Sequence, residues 1–283
     1  MPRPIRGVLA LAWLAGVACT SPTETARLPA TPLIEVWTRG LPAFGVFVPS
    51  EQPRRDADGN RLPPHYTLDG AERLGRDPLL DYLFLNLEGA YDAPAVDTLV
   101  AGLARVSAEE RPTLLVRIPP IEREGEQAAR ARVHDALTRG ADGIVLPHIR
   151  SPEEARVAVR FFEEAEADVW SPANPDGRII AMLMIEDPGA LEAAEAIAET
   201  PGYSVLSCGI GSLTGALGDD RDAGETAAEV VLGHATRVGM PSMMTANRSN
   251  MARRIEQGYL GLLLQMGDDT AETIQFGRAA AGR

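Results

Sequence analysis

The chain has 283 residues, 27 basic and 40 acidic, for a formal net charge of −13. Every basic residue is arginine, and the absence of lysine excludes Schiff-base chemistry and the lysine-dependent P-loop nucleotide site. The acidic balance offers no basic patch for nucleic acid, while 45% hydrophobic residues suffice for a globular core.

In chain order, residues 1–18 read as a removable leader. Arg3 and Arg6 give a basic start, and residues 7–17 are mostly apolar but too few to span a bilayer. Gly16, Val17 and Ala18 supply the small residues of a signal-peptidase site. Cys19 follows at once, resembling a bacterial lipoprotein signal in which that cysteine carries the lipid; plain secretion with cleavage after Ala18 is the alternative. Residues 19–32, rich in Thr, Pro and Ala, form a polar tether. These features predict an exported protein of the bacterial cell envelope, meeting the membrane only through a lipid anchor. Cys208, the other cysteine, is then left without a disulfide partner.

From residue 33 to 283 short apolar runs alternate with helical patterns. A helix over 33–39 ends at Gly40. Strands are predicted at 43–48, 82–87, 113–118, 143–147, 179–186, 203–208, 241–246 and 259–265. Between them, amphipathic helices are predicted over 127–139, 152–163, 189–199, 223–237 and 250–257. Gly140, Gly239 and Gly258 stand where left-handed C-caps belong. Continuous apolar strands alternating with helices imply parallel strands buried on both faces. Eight such units, without a GxGxxG after the first strand, predict a (β/α)8 TIM barrel. Residues 49–80 form an unusually long connection, either a functional lid or a missed element. Its DADGN stretch starts like a calcium loop, but Arg61 at position six and the missing terminal Glu make it a polar turn.

Chemistry in such a barrel sits at the C-terminal strand ends. There the sequence offers Asn86 and Glu88, Arg117, His148, Glu186, and the turn Cys208-Gly209-Ile210-Gly211-Ser212. An arginine inside a barrel strand keeps its proton and needs an anion, from the protein or from a ligand. Glu186 is either an oxygen ligand for a divalent cation or, with Glu88, the partner of Arg117 in an ion pair.

At these residues the chain resembles the HpcH/HpaI aldolase/citrate lyase family. The resemblance is carried by DYLFLNLEGAYD, LLVRIPP, ALTRGADGIVLPHIRSPEEA, AMLMIED with PGYSVLSCGIGSLTGALG, and the late GMPSMMTA and GYLGLLLQMGDD segments. It implies a metal-dependent pyruvate aldolase on a TIM barrel, commonly oligomeric. In that family a carboxylate pair holds a divalent metal (Mg2+ or Mn2+) that chelates a 2-oxo acid, an arginine steadies the enolate oxygen, and a His–Asp dyad moves the proton. Arg117 matches the arginine and Glu186 the first metal carboxylate. Ser212 stands where the second carboxylate belongs, Gly89 where the histidine belongs, and Asn86 (or Thr138) where the dyad aspartate belongs. Met184 replaces a glutamine, and residues 170–177 replace an arginine-containing segment.

Those departures remove charge and proton capacity from one face. Candidate replacements are His148 as ligand or shuttle, and Glu88 as base. His65 in the long connection, Cys208 as a thiolate, and Asp219 or Asp220 in place of Ser212 are further options; His134 and His234 fall within helices and are expected to face solvent. The resulting expectation is a divalent-metal-dependent carbon–carbon lyase acting on a pyruvate-like 2-oxo acid. Glu186 would hold the metal, Arg117 and His148 would meet the substrate, and the Gly209, Gly211 and Ser212 backbone would offer it N–H groups. The alternative is a non-catalytic envelope lipoprotein that keeps the barrel as a binding module.

Overall fold

The computed structural model describes residues 31–53, 55–60 and 62–283. The leader, Cys19 and the tether up to residue 30 lie outside the described residues. Eight strands, β1 (Ala43–Phe47), β2 (Tyr82–Asn86), β3 (Thr113–Arg117), β4 (Gly143–Leu146), β5 (Ile180–Ile185), β6 (Val205–Cys208), β7 (Met243–Thr245) and β8 (Gly261–Leu264), fall inside the eight predicted runs. All pair in parallel, in the order β6-β5-β4-β3-β2-β1-β8-β7. The sheet curls into a nearly closed barrel. At its seam the backbone N–H of Met243 donates to Ser207 Oγ at 2.8 Å, so a side chain stitches β6 to β7 where a ladder would otherwise run.

Period-two alternation sorts the strand residues into two cores. Tyr82, Phe84, Leu115, Val145, Met182, Met184, Val205, Met243 and Leu263 fill the barrel interior. Leu83, Leu85, Leu114, Val116, Ile144, Leu183, Ile185 and Leu206 face outward, under the helices. A helix over Pro32–Thr38 plugs the N-terminal end, burying Leu33, Ile34, Val36 and Trp37 against the interior core. Trp37 stacks on Trp170 with ring centroids 5.9 Å apart and donates from Nε1 to the Leu260 carbonyl at 2.8 Å. On the same end, Arg278 and the last residue, Arg283, converge on the buried Asp81, whose carboxylate also accepts the Phe44 N–H.

The long first connection is in part a missed element. Leu68–Gly75 is a helix, capped by Thr67 Oγ1 accepting from the Gly70 N–H at 3.0 Å. The preceding segment is drawn shut by Glu51, whose Oε1 accepts from both the backbone N–H and the hydroxyl of Thr67. DADGN is a polar turn: Asp56 Oδ1 accepts from the N–H groups of Asp58 and Asn60. The single helix predicted over 189–199 is two, Pro188–Glu192 and Ala194–Ala198. Further helices occupy Ala93–Leu103, Ile210–Ala216 and Thr270–Ala280. Gly140 and Gly258 cap their helices at φ 105° and 97°, and Gly239 also adopts a positive φ of 76°. Among the described residues no helix is long and apolar enough to cross a membrane.

Candidate functional site

Strand alternation decides which side chains reach the barrel mouth. Leu115 of β3 points inward, so Arg117 does too; Met182 and Met184 lead to Glu186 in the same way, and Tyr82 and Phe84 lead to Asn86 and, beyond it, Glu88. In-register pairing sets Arg117 beside Asn86 on one side and Val145 on the other. Residues far apart in sequence therefore meet.

Arg117 Nη2 donates to Glu186 Oε2 at 2.7 Å and to Glu88 Oε1 at 2.9 Å. His148, just beyond β4, donates its backbone N–H to Glu186 Oε2 at 3.2 Å. Its ring Nε2 lies 3.1 Å from Glu88 Oε1 and 3.6 Å from Glu186 Oε2. The side chain of Glu186 is 1% exposed and that of Arg117 10%, against 27% for Glu88 and 29% for His148. The cluster thus has a dry half and a half that meets water. Arg123 braces it by donating to the Glu88 carbonyl. The His148 hydrogen bond, with the Arg117 and Arg123 charges behind it, holds the Glu88 carboxyl below the usual range despite burial. Glu88, with Glu186 behind it, raises His148 in return.

A cavity of about 290 Å3 opens beside this cluster. Phe47, Phe84, Met182, Met184, Met243 and Leu263 give it an apolar lining; Arg117, Glu186 and Ser212 add polar groups beside Gly209 and Gly211. A second cavity of about 780 Å3 shares Phe47 and Arg117 and runs under the first connection past Ser50, Tyr66, Asn86 and Met266. Arg117 Nε is buried with no acceptor. The Arg117–Glu186–Glu88 ion pair considered from sequence is present, and the arginine retains donor capacity beyond it.

A match to the family model described as HpcH/HpaI aldolase/citrate lyase runs over residues 79–274. The chain belongs to the HpcH/HpaI aldolase/citrate lyase family. A protein named 4-hydroxy-4-methyl-2-oxoglutarate aldolase cghB, from Chaetomium globosum, is 32% identical over 158 residues, 48% of this chain and 58% of that protein. The chain therefore matches little more than half the length of this curated relative. The fold is shared with an HpcH/HpaI family protein from Burkholderia cenocepacia at a TM-score of 0.64 and 22% identity, covering 88% of this chain and 98% of that one. It is shared at a TM-score of 0.53 and 16% identity with a citrate lyase beta subunit from M. tuberculosis complexed with oxaloacetate and magnesium; coverage is 87% of this chain and 99% of that one.

Within this HpcH/HpaI barrel the expected positions divide. Arg117, Glu186, Glu88 and His148 come together. Gly89 leaves open space, with nothing within 4 Å of where a side chain would start. Ser212 lines the smaller cavity but is exposed. Of the backbone donors expected in its turn, the Gly209 N–H is taken by the Ile185 carbonyl at 3.0 Å. Asp220 caps the helix Arg221–Arg237 by accepting from Asp222 and Ala223, and neither Asp219 nor Asp220 lines the cavity, which removes both as stand-ins for Ser212. His65 is exposed on the first connection and His134 exposed on its helix; His234 is half-buried rather than solvent-facing. Cys208 is buried, and burial pushes its thiol up to about 12, the environment of a packing residue and not of an activated thiolate.

Glu88, His148 and Glu186 each bring one ligand atom within 4.8 Å of the others, a donor set that fits a divalent cation. The sequence reading missed Arg123 and the tight seat of Glu186 against Gly209.

Proposed function

We propose that this protein is a carbon–carbon lyase of the aldolase type that acts on a pyruvate-like 2-oxo acid with the help of a divalent metal. The observation that carries the reading is Arg117 beside Glu186 in the wall of a 290 Å3 cavity with an apolar lining. Glu186 would hold the metal, with Glu88 and His148 alongside, and the metal would supply Lewis acidity to the 2-oxo acid. Arg117 brings a permanent charge with an unused buried Nε, suited to a substrate carboxylate or to the oxygen that becomes negative as the methyl proton leaves. Met182, Met184 and Met243 keep water from the carbon that reacts. Relatives named as 2-oxo acid aldolases and the oxaloacetate-bound structural neighbour support the substrate class.

Incubation of the purified protein with pyruvate and Mn2+ or Mg2+ in D2O tests this. Metal-dependent loss of the methyl proton signal, abolished in Glu186→Ala, is the expected result. No exchange above buffer, with no metal retained after dialysis, overturns the reading and leaves a binding module.

We further propose export and anchoring through Cys19, on the strength of Arg3, Arg6, the apolar run and the small residues before that cysteine. A Cys19→Ala variant is expected to leave the membrane fraction; retention there overturns the anchor.

A further inference from the structure

We infer that the divalent ion is held by three side chains, Glu88, His148 and Glu186, just beyond the C-terminal ends of β2, β4 and β5, and that the imidazole among them selects a transition ion over magnesium. The inference rests on the metal-dependent reading above and places the ion away from the β6 turn, where Ser212 lies. Ligand atoms about 2.0–2.2 Å from one ion sit about 3–3.5 Å from each other. The His148 Nε2 distance of 3.1 Å to Glu88 Oε1 falls in that range, that of 3.6 Å to Glu186 Oε2 lies just beyond it, and all three ligand atoms lie within 4.8 Å of one another. Magnesium favours oxygen donors and gives up water reluctantly, whereas imidazole suits zinc, iron, nickel and copper; manganese is the hardest of the transition ions and the most stringent probe of the nitrogen ligand.

The backbone gives an independent sign. His148 has φ 53°, one of three non-glycine residues with positive φ among those described. Such a conformation persists only where its surroundings hold it, and such residues gather at functional sites. Here the His148 N–H is fixed on the Glu186 carboxylate while the ring reaches Glu88, so one strained residue aims at both carboxylates.

Arg117 shares these oxygens. Its Nη2 contacts the same two oxygens, Glu88 Oε1 and Glu186 Oε2, that face His148. A cation entering the cluster replaces that contact and releases a buried guanidinium whose Nε already lacks an acceptor. The released charge then needs an anion, so metal and 2-oxo acid carboxylate bind together.

The test is metal binding by the purified, EDTA-stripped protein. Mn2+ is expected to be retained and to show, by pulsed EPR, the modulation of a directly bound nitrogen. His148→Asn keeps a residue that tolerates the left-handed backbone; it should abolish that modulation and weaken Zn2+ by at least about tenfold while changing Mg2+ far less. Glu88→Gln should weaken Mn2+ without removing the nitrogen signal, and Ser212→Ala should change neither. Bound Mn2+ without nitrogen modulation, or a larger loss from Ser212→Ala than from His148→Asn, overturns the assignment, as does failure to bind any of these ions. Nitrogen-ligated metal without pyruvate exchange would sink the lyase reading alone; exchange supported by an oxygen-only ion would sink this assignment alone.

Discussion

Arg117 and Glu186 stand 2.7 Å apart, Nη2 to Oε2, at the ends of β3 and β5 with β4 between them. Both are almost dry, so neither charge is cheaply left without the other. Arg117→Met is expected to lower stability by about 3–5 kcal/mol in denaturant titration. It should also reduce pyruvate proton exchange by about 10²–10³-fold. Unchanged exchange would remove Arg117 from the chemistry.

Gly209 is the floor on which the Glu186 carboxylate rests. A Cβ there would occupy the space of the Glu186 side chain itself. Gly209→Ala should therefore turn Glu186 out of its seat, at a cost of about 1–3 kcal/mol in stability and with loss of bound metal. Gly89→Ala, in open space, is the matched control and should be close to neutral. Equal metal retention by both variants would disprove the seating argument.

Trp37 closes the far end of the barrel. Trp37→Ala removes its stack on Trp170 and its bond to the Leu260 carbonyl, so about 3–5 kcal/mol of stability should go. Exchange measured well below the midpoint of unfolding should hardly change, because the plug does not touch the mouth.

A pH dependence follows from Glu225. The Arg254 guanidinium, buried at 2% exposure, holds the Glu225 carboxyl below its ordinary value. Because the folded value is depressed, the stabilisation is present above the unfolded pKa of about 4.3 and is lost as pH falls through the folded one. Glu225→Gln should cost about 2–3 kcal/mol at pH 7, with the gap to the parent closing below about pH 4. A gap constant from pH 7 to pH 3 would assign the effect to packing.

How much of this was legible in the sequence differs by level. Strands were legible because each is a run of apolar residues bounded by turn signals, but a continuous apolar run does not say which of its faces lines the barrel. The helix Leu68–Gly75 was not, because the polar, proline-rich stretch before it hides where its pattern starts. The meeting of Glu88, His148 and Glu186 was also hidden. It depends on the order β2-β3-β4-β5 and on the positive φ of His148, and single-chain spacing encodes neither. The departures at Gly89 and Ser212 were plain from the family pattern, but only the geometry brings His148 and Glu88 into one cluster with Glu186.

The plug formed by Pro32–Thr38 also sets an orientation. It enters at the N-terminal ends of the strands, where Leu33 bonds to Thr113 and Trp37 to Leu260, while the Arg117 cluster lies at the opposite ends. Thr31, which precedes the plug, therefore lies on the face turned away from the cavity. The base of the barrel is thus shut, and small acids have the opposite mouth, beside Arg117, as their way in.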